Sequence, residues 1–554
     1  MRADLIRLYK TLHTWTGIIA GLALFIAFYA GALTVFKEPL ARWVAPPVTT
    51  LSVPLADTPA LIARTLAAQP TAARDFQITL NPDAANPQRL TWQDHPGHGE
   101  EHDSLGAHHY AATLAADGSA RIETTQPSQL TELIDILHRV VGLPFDNDIT
   151  RAVMGVICML YSLALVSGVI LVLPTLARDF FAMRISPNLK RMWMDTHNVV
   201  GLISLPFHIV MAITAVVFAY HDGIYALQNK LFHNGNLSAT WAGAKAQHTP
   251  PRNPADLLPP TELLSRSHGI APDFVPTSLQ YVQVLGPRPT VRIWGHDDSS
   301  LSPRAMGGFV ALDPYSGKVL STDFLPGRQS AANTTLASFF ALHFGTFGGS
   351  VVSAMYFLLA LAGAWLFYSG NLLWIESRRK GGRKANQKGI NKEGQQSPPT
   401  ATQRRDVRAL ANATVGVCLG CVAGISLTIV AGRWLYGHVT DLNAWHWYVY
   451  YAVFLASIAW AFWRGTARAA VELLWFATAV TLAIPLTSLA CMLGLLPGPW
   501  ALTDASGVDF TAFGGALALA WMARATTQRV RHGEAGSIWS ALPEEAKAGK
   551  KPGA

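Results

Sequence analysis

Four histidines stand at matching places in this chain of 554 residues. His13 lies in LHTWTG, His138 in LHRVVG and His197 in THNVVG, each with a glycine four residues on (Gly17, Gly142, Gly201). His343 lies in LHFGTFGG, ahead of Gly348 and Gly349. Each stands at the edge of a long apolar run. A histidine in or beside a membrane span is costly unless it is ligated, hydrogen-bonded or wet. Imidazole is an axial ligand of haem iron, which takes two such ligands on opposite sides of one plane, and facing helices of a bundle can supply them. With the helix ends assigned to sides, His13 and His197 fall on one face of the membrane, and His138 and His343 on the other. That is the arrangement for two b-type haems. His208 follows His197 by eleven residues. On a straight helix it returns to within about 20° of the same face and lies about 16 Å deeper, so it competes with His138 or His343 as a ligand of the outer haem.

One histidine alone in such a place would cap a helix or bond a carbonyl; the set of four carries the reading. The glycine at i+4 shares a helix face with its histidine. It leaves room either for a flat macrocycle or for a close helix crossing. His221 falls off the stripe and reads as interfacial. His446, in NAWHWYVYY, has no second histidine opposite and reads as structural, in an aromatic belt. In DHPGHGEEHDSLGAHH, His95, His98, His102, His108 and His109 sit among carboxylates. They form a candidate site for Zn, Cu or Fe ions, against the plainer reading of a solvated loop.

The elements that must position these residues are set by hydropathy. Half of the residues are apolar and only 14% are charged, and the apolar ones gather into runs of about 20, the length that crosses hydrocarbon. Eight runs are expected to span: 15–36, 150–173, 198–220, 338–368, 411–431, 445–463, 470–495 and 508–523. The first is too long for a signal-peptide core and lacks a convincing small-residue cleavage site, so it reads as an uncleaved anchor. Basic residues place the ends. Segment 369–410 carries ten Lys/Arg against three Asp/Glu, whereas 37–149 carries fourteen Asp/Glu against seven Lys/Arg. A bacterial inner membrane with both termini cytoplasmic and the two long loops periplasmic follows. The net charge of +8 is then a topology signal, and no nucleic-acid partner is implied. Cys158, Cys418, Cys421 and Cys491 all lie in apolar runs, so no disulfide framework is expected, and CLGC reads as two small packing residues.

The long loops, 37–149 and 221–337, alternate apolar and polar residues between Gly, Pro and Asp breaks, the pattern of strands and turns. TPALIARTLAAQ (58–69) and TELLSRSHG (261–269) read as helices ahead of them, and GGFVALDPYSGKVLSTD (307–323) as one hairpin. Each loop is expected to form a small α+β module. The rest of the expected organisation is a basic, flexible linker at 378–410, a C-terminal four-helix membrane region at 411–531, and a disordered tail at 532–554. No G-x-G-x-x-G follows a strand, and no flavin or nicotinamide site is found, so electrons for any redox chemistry come from another molecule.

Over residues 1–377, LHTWTGIIAGLALFIAFYAGAL, LHRVVG…SGVILV, THNVVGLISLPFHIVMAITA, ALHFGTFGG…GAWLFYSGNLLW and ALDPYSGKVL together resemble the PepSY-associated transmembrane proteins. That family includes bacterial iron-regulated membrane proteins and ferric-siderophore reductases. The resemblance implies a four-helix core with two PepSY-like periplasmic modules. It also implies haem b bound by His13, His138, His197 and His343, and electron delivery to ferric siderophores. Two rival readings stand beside it: a non-catalytic PepSY-type regulatory or binding protein, and a siderophore or iron permease component. The basic-residue asymmetry predicts that an alkaline-phosphatase fusion at residue 390 is inactive while a fluorescent-protein fusion there is bright; an active phosphatase overturns the orientation.

Overall fold

The computed structural model describes residues 3–45, 53–83, 87–94, 108–115, 117–125, 128–176, 189–232, 252–300, 308–393, 401–495, 506–532 and 538–540. In chain order the helices are α1 (Ala3–Thr34), α2 (Lys37–Val44), α3 (Thr58–Ala68), α4 (Leu130–Arg139), α5 (Asp148–Val172), α6 (Leu189–Ile203), α7 (Leu205–Ala219), α8 (His221–Phe232), α9 (Pro260–Ile270), α10 (Ala331–Phe344), α11 (Gly349–Glu393), α12 (Ala401–Trp434), α13 (Leu442–Arg464), α14 (Thr466–Met492) and α15 (Gly507–His532). The strands are β1 (Asp75–Thr79), β2 (Leu90–Asp94), β3 (His108–Leu114), β4 (Ala120–Thr125), β5 (Val275–Val282), β6 (Thr290–His296), β7 (Phe309–Leu312) and β8 (Val319–Ser321). Two compact units result. One comprises 1–44, 128–213 and 357–554; the other comprises 45–127 and 214–356.

The first unit is a helical bundle. Among the described residues, five helices are long and apolar enough to span: 4–34, 148–175, 349–378, 405–434 and 466–492. The pair α6–α7 makes a sixth if its 70° bend is one broken span. The bend falls at Ser204, just ahead of Pro206, whose ring lacks the N–H that would continue the helical ladder. The runs expected at 445–463 and 508–523 lie in α13 and α15. Both are helical, but neither passes the same test of length and composition.

Three further expectations change. The basic segment at 378–410 is helical over most of its length, because α11 continues to Glu393 and α12 starts at Ala401; only 394–400 lie outside the described residues. The tail is not wholly detached either: Ile538 and Trp539 pack on Trp193, Ile375 and Ala411, and the Trp539 indole donates to buried Glu376 at 2.8 Å. The C-terminal helices are no separate domain, since their Cys418, Cys421, Ile425 and Tyr450 share one core with Phe25, Ile26 and Ala30 of α1.

A glycine seam explains how α12 and α13 approach. Gly416, Gly420 and Gly424 recur every fourth residue, and a Cβ on Gly416 would lie 2.7 Å from the Ile458 Cα. Small residues at this spacing let backbones touch, which is how helices pack where lipid removes the hydrophobic drive. The four cysteines are buried and free.

In the second unit the two long loops do not form two separate modules. Each supplies four antiparallel strands, and β1 pairs with β5 to give a single eight-stranded sheet in the order β4-β3-β2-β1-β5-β6-β7-β8. Period-two alternation puts Phe76, Ile78, Leu90, Trp92, Leu279, Tyr281, Val291, Ile293, Val310 and Leu312 in one core with Leu61, Ile62 and Leu66 of α3 and Leu263 of α9. The expected hairpin is present: Asp313 Oδ1 accepts from the backbone of Tyr315 and Ser316, both at 2.9 Å, and Gly317 has φ +68°.

A buried polar cluster ties α2 to the C-terminal helices. Asp509 Oδ1 accepts from Trp43 Nε1 (3.0 Å) and Ser488 Oγ (2.7 Å), and its Oδ2 from Ser506 N (2.8 Å). Arg433 donates to the Trp43 carbonyl at 2.7 Å and lies over the Trp43 ring. Removing one member of a buried hydrogen-bonded charge cluster leaves the others unpaired. Asp509→Ala is therefore expected to destabilise the bundle by about 3–5 kcal/mol and Ser506→Ala by about 1 kcal/mol, measured by thermal unfolding in detergent; equal effects would contradict this account.

Candidate functional site

The site is built on α1. His13 stands about three turns into the helix; its Nδ1 is 2.8 Å from the Ala164 carbonyl of α5. A carbonyl can only accept, so Nδ1 carries the proton, and in the neutral ring Nε2 carries the lone pair. His197, on α6, places its ring centroid 6.3 Å from that of His13, at an interplanar angle of 77°. Its Nδ1 lies 3.2 Å from Ser369 Oγ. The Ser369 hydroxyl donates to Leu366 O at 3.0 Å, so its oxygen accepts from the ring and Nε2 again carries the lone pair.

An imidazole nitrogen lies about 2 Å from a first-row metal it binds and about 1 Å from its own ring centre. Two rings on opposite sides of one metal therefore have centroids about 6 Å apart. The spacing of His13 and His197 and their tautomers fit a bis-imidazole site. A ligating histidine ordinarily donates its other ring N–H to a carbonyl or hydroxyl, and both do.

Two more histidines follow the same rule farther along α1. His138 Nδ1 lies 2.8 Å from the Ala27 carbonyl. His208 is buried, with Nδ1 2.6 Å from Tyr161 Oη, while that hydroxyl donates to the His208 carbonyl at 3.1 Å. Its Nε2 is fully buried, with no hydrogen-bond partner among the described residues. Phe28, Phe207 and Phe367 ring it, Phe28 at 5.4 Å between centroids. The Ala27–Gly31 stretch that meets His138 begins fourteen residues beyond His13, roughly 21 Å along an α-helix. Two levels of the bundle thus carry imidazoles.

The straight-helix relation between His197 and His208 does not hold, because the 70° bend falls between them. On α11 their facing glycines, Gly370 and Gly363, are seven residues apart, so the two rings differ in depth by roughly 10 Å. His138 and His343 also differ from expectation. Each sits on a short helix, α4 or α10, that ends before the adjoining span begins. His343 belongs to the second unit, where its Nδ1 is 2.8 Å from Thr214 Oγ1 and its ring packs on Phe218.

The glycines at i+4 do other work. Gly17 faces open space, Gly201 packs on Leu366, and Gly142 turns the chain at φ +81°; after His343, Gly348 and Gly349 have φ +75° and +65°. The glycines that meet the imidazoles lie on facing helices. A Cβ on Gly168 would come within 2.9 Å of His13, on Gly31 within 2.7 Å of His138, on Gly363 within 3.1 Å of His208, and on Gly370 within 3.4 Å of His197. Small-residue positions one helix away from a polar ring have no one-dimensional signature, so neither these nor Tyr161 and Ser369 were identified from sequence.

The remaining histidines behave otherwise. His446 is buried, and neither of its nitrogens has a hydrogen-bond partner among the described residues; it lacks the donated Nδ1 of the others. His221 is exposed, its Nδ1 2.6 Å from Phe218 O. His95, His98 and His102 lie outside the described residues. His108 and His109 are consecutive on β3, so they point to opposite faces and cannot converge on one ion from that strand. Among the described residues no group of three or more His, Cys, Asp or Glu is placed to hold a metal ion.

An ion-pair chain surrounds α4: Lys37 contacts Glu132 (3.0 Å) and Asp135 (3.3 Å), while Arg139 contacts Glu132 and Asp146, which also meets Arg151. Burial alone would lower the Lys37 pKa, but the two carboxylates outweigh it and the ammonium is held above its ordinary range.

In comparison with known proteins, the model of the PepSY-associated TM region matches residues 10–377, well over half of the chain. No curated protein matches it.

Proposed function

The chain belongs to the family of the PepSY-associated TM region, and from that premise we propose that it is a haem b-bearing electron-transfer protein of the bacterial inner membrane that reduces ferric siderophores or other ferric chelates. The observation that carries this reading is the pairing of His13 and His197 at 6.3 Å between ring centroids, each with Nδ1 committed to the protein. His13 and His197 hold the inner haem. His208, with His138 and His343 as the other candidates, serves the outer level. When bound, haem supplies a one-electron iron centre at each level.

The protein's own groups do the rest. The Ala164 and Ala27 carbonyls, Ser369 and Tyr161 fix each ring's tautomer and direction. Phe28, Phe207 and Phe367 exclude water around His208. Oxygen donors suit hard cations, so taking the substrate's Fe(III) to Fe(II) loosens a chelate of that kind and frees the iron. Electrons arrive from a donor molecule on the cytoplasmic side, where both termini lie, and the eight-stranded sheet lies on the periplasmic side with the ferric substrate.

Purified in detergent from haem-replete cells, the protein is expected to be red, with a dithionite-reduced spectrum of six-coordinate low-spin haem b. A folded but colourless protein would reject the reading and favour the regulatory one. His13→Ala or His197→Ala should remove about half of the haem and leave the remainder reducible by dithionite, because His208 lies roughly 10 Å deeper than His197 and the His138 contact lies roughly 20 Å along α1 from His13, so neither shares an iron with the inner pair. Haem per protein, in variants first shown to be monodisperse, decides this; loss of all haem or of none contradicts two separate sites.

A further inference from the structure

His208 differs from the other three imidazoles of the bundle. Its Nδ1 partner is a phenol and not a carbonyl or an aliphatic hydroxyl, and that phenol touches the same residue twice. Tyr161 Oη lies 2.6 Å from Nδ1 and 3.1 Å from the backbone carbonyl of His208. A phenol has one proton. Given to the carbonyl, it leaves the oxygen to accept the Nδ1–H. Both groups are buried, Tyr161 at 5% and His208 at 1% exposure, so no water replaces either bond. The brace sits four residues past the break at Ser204, in the first turn of α7, where His208 N donates to Ser204 O at 2.9 Å. It leaves a buried Nε2 lone pair with no partner among the described residues. Such an atom is costly unless something binds it.

We infer that Tyr161 is a positioning residue that sets the redox potential of the haem held through His208, by accepting the Nδ1–H and strengthening the ligand's donation through Nε2. The inference rests on the haem reading above. A ring whose N–H is drawn towards an acceptor is the more basic ligand, and a more basic ligand favours ferric over ferrous iron. Gly363 completes the arrangement: a Cβ there would lie 2.5 Å from Phe28 and 3.1 Å from His208, so the ring's edge is seated against the backbone of α11. Tyr161 is thereby a tuning element at the deeper imidazole that the His13/His197 pair, tied to a carbonyl and a serine, does not have.

The test is a spectroelectrochemical titration of the full chain with its haem, comparing the wild type with Tyr161→Phe, which keeps the ring and deletes the hydroxyl. Expected is an upward shift of one midpoint potential by about tenfold in ferric-over-ferrous preference, or about 59 mV for one electron, with the other potential unmoved. His208→Ala should abolish the component that shifts. If Tyr161→Phe is poorly folded, a fluorotyrosine placed at 161 makes the oxygen a weaker acceptor without changing shape, and should move the same potential in the same direction by less. Haem-loaded Tyr161→Phe with both potentials unchanged overturns the inference while leaving the haem reading intact. A wild-type protein that binds no haem overturns the haem reading itself, and the inference with it.

Discussion

An imidazole inside hydrocarbon has two nitrogens to satisfy and no water with which to do it. At His13, His138, His197 and His208 the protein holds Nδ1 of each ring. That regularity constrains much else. It requires a carbonyl or hydroxyl at ring height on a neighbouring helix, and it requires that helix to come close. The glycines at 168, 31, 370 and 363 supply the closeness. The orientation of four rings thus determines where α1, α5, α6 and α11 can cross.

Much of this was legible in the sequence. The histidines themselves, the apolar spans, the helix–strand order of the loops and the 313–317 turn all rest on local pattern, and local pattern survives folding. What was not legible depends on a second segment. The i+4 glycines are natural partners where helical periodicity is read in one dimension, yet Gly142 is a turn residue and the real neighbours come from other helices. The break at Ser204 was foreshadowed by Pro206 but was concealed by an unbroken apolar run. The basic 378–410 stretch looked like a linker by composition, although Lys, Arg, Gln and Ala are good helix formers, and two helices extend into it from either side.

The C-terminal helices have a physical role even where their chemistry is undefined. Their glycine seam stiffens α12 against α13, and Arg433, Asp509 and Ser488 close on Trp43. Trp43 lies on α2, the helix that leaves α1. The far end of α1, where His138 is seated, is therefore held on two sides: by α4 with its ion pairs, and by the C-terminal helices. A frame of this kind resists movement of the imidazoles when charge changes nearby, which is what fixed ligand geometry demands.

The single sheet has a consequence for biogenesis. Asp75 pairs with Val282, and β1 lies against β5 through Thr79 and Ser278. These partners are separated by roughly 200 residues of chain, and non-local pairings of this range form late. The first four strands are made long before the strand that completes their centre, and until then β1 presents an open edge of unpaired N–H and C=O groups. Helices α5, α6 and α7 are made during that interval. Until β5 is made, that edge is open to pairing with another chain.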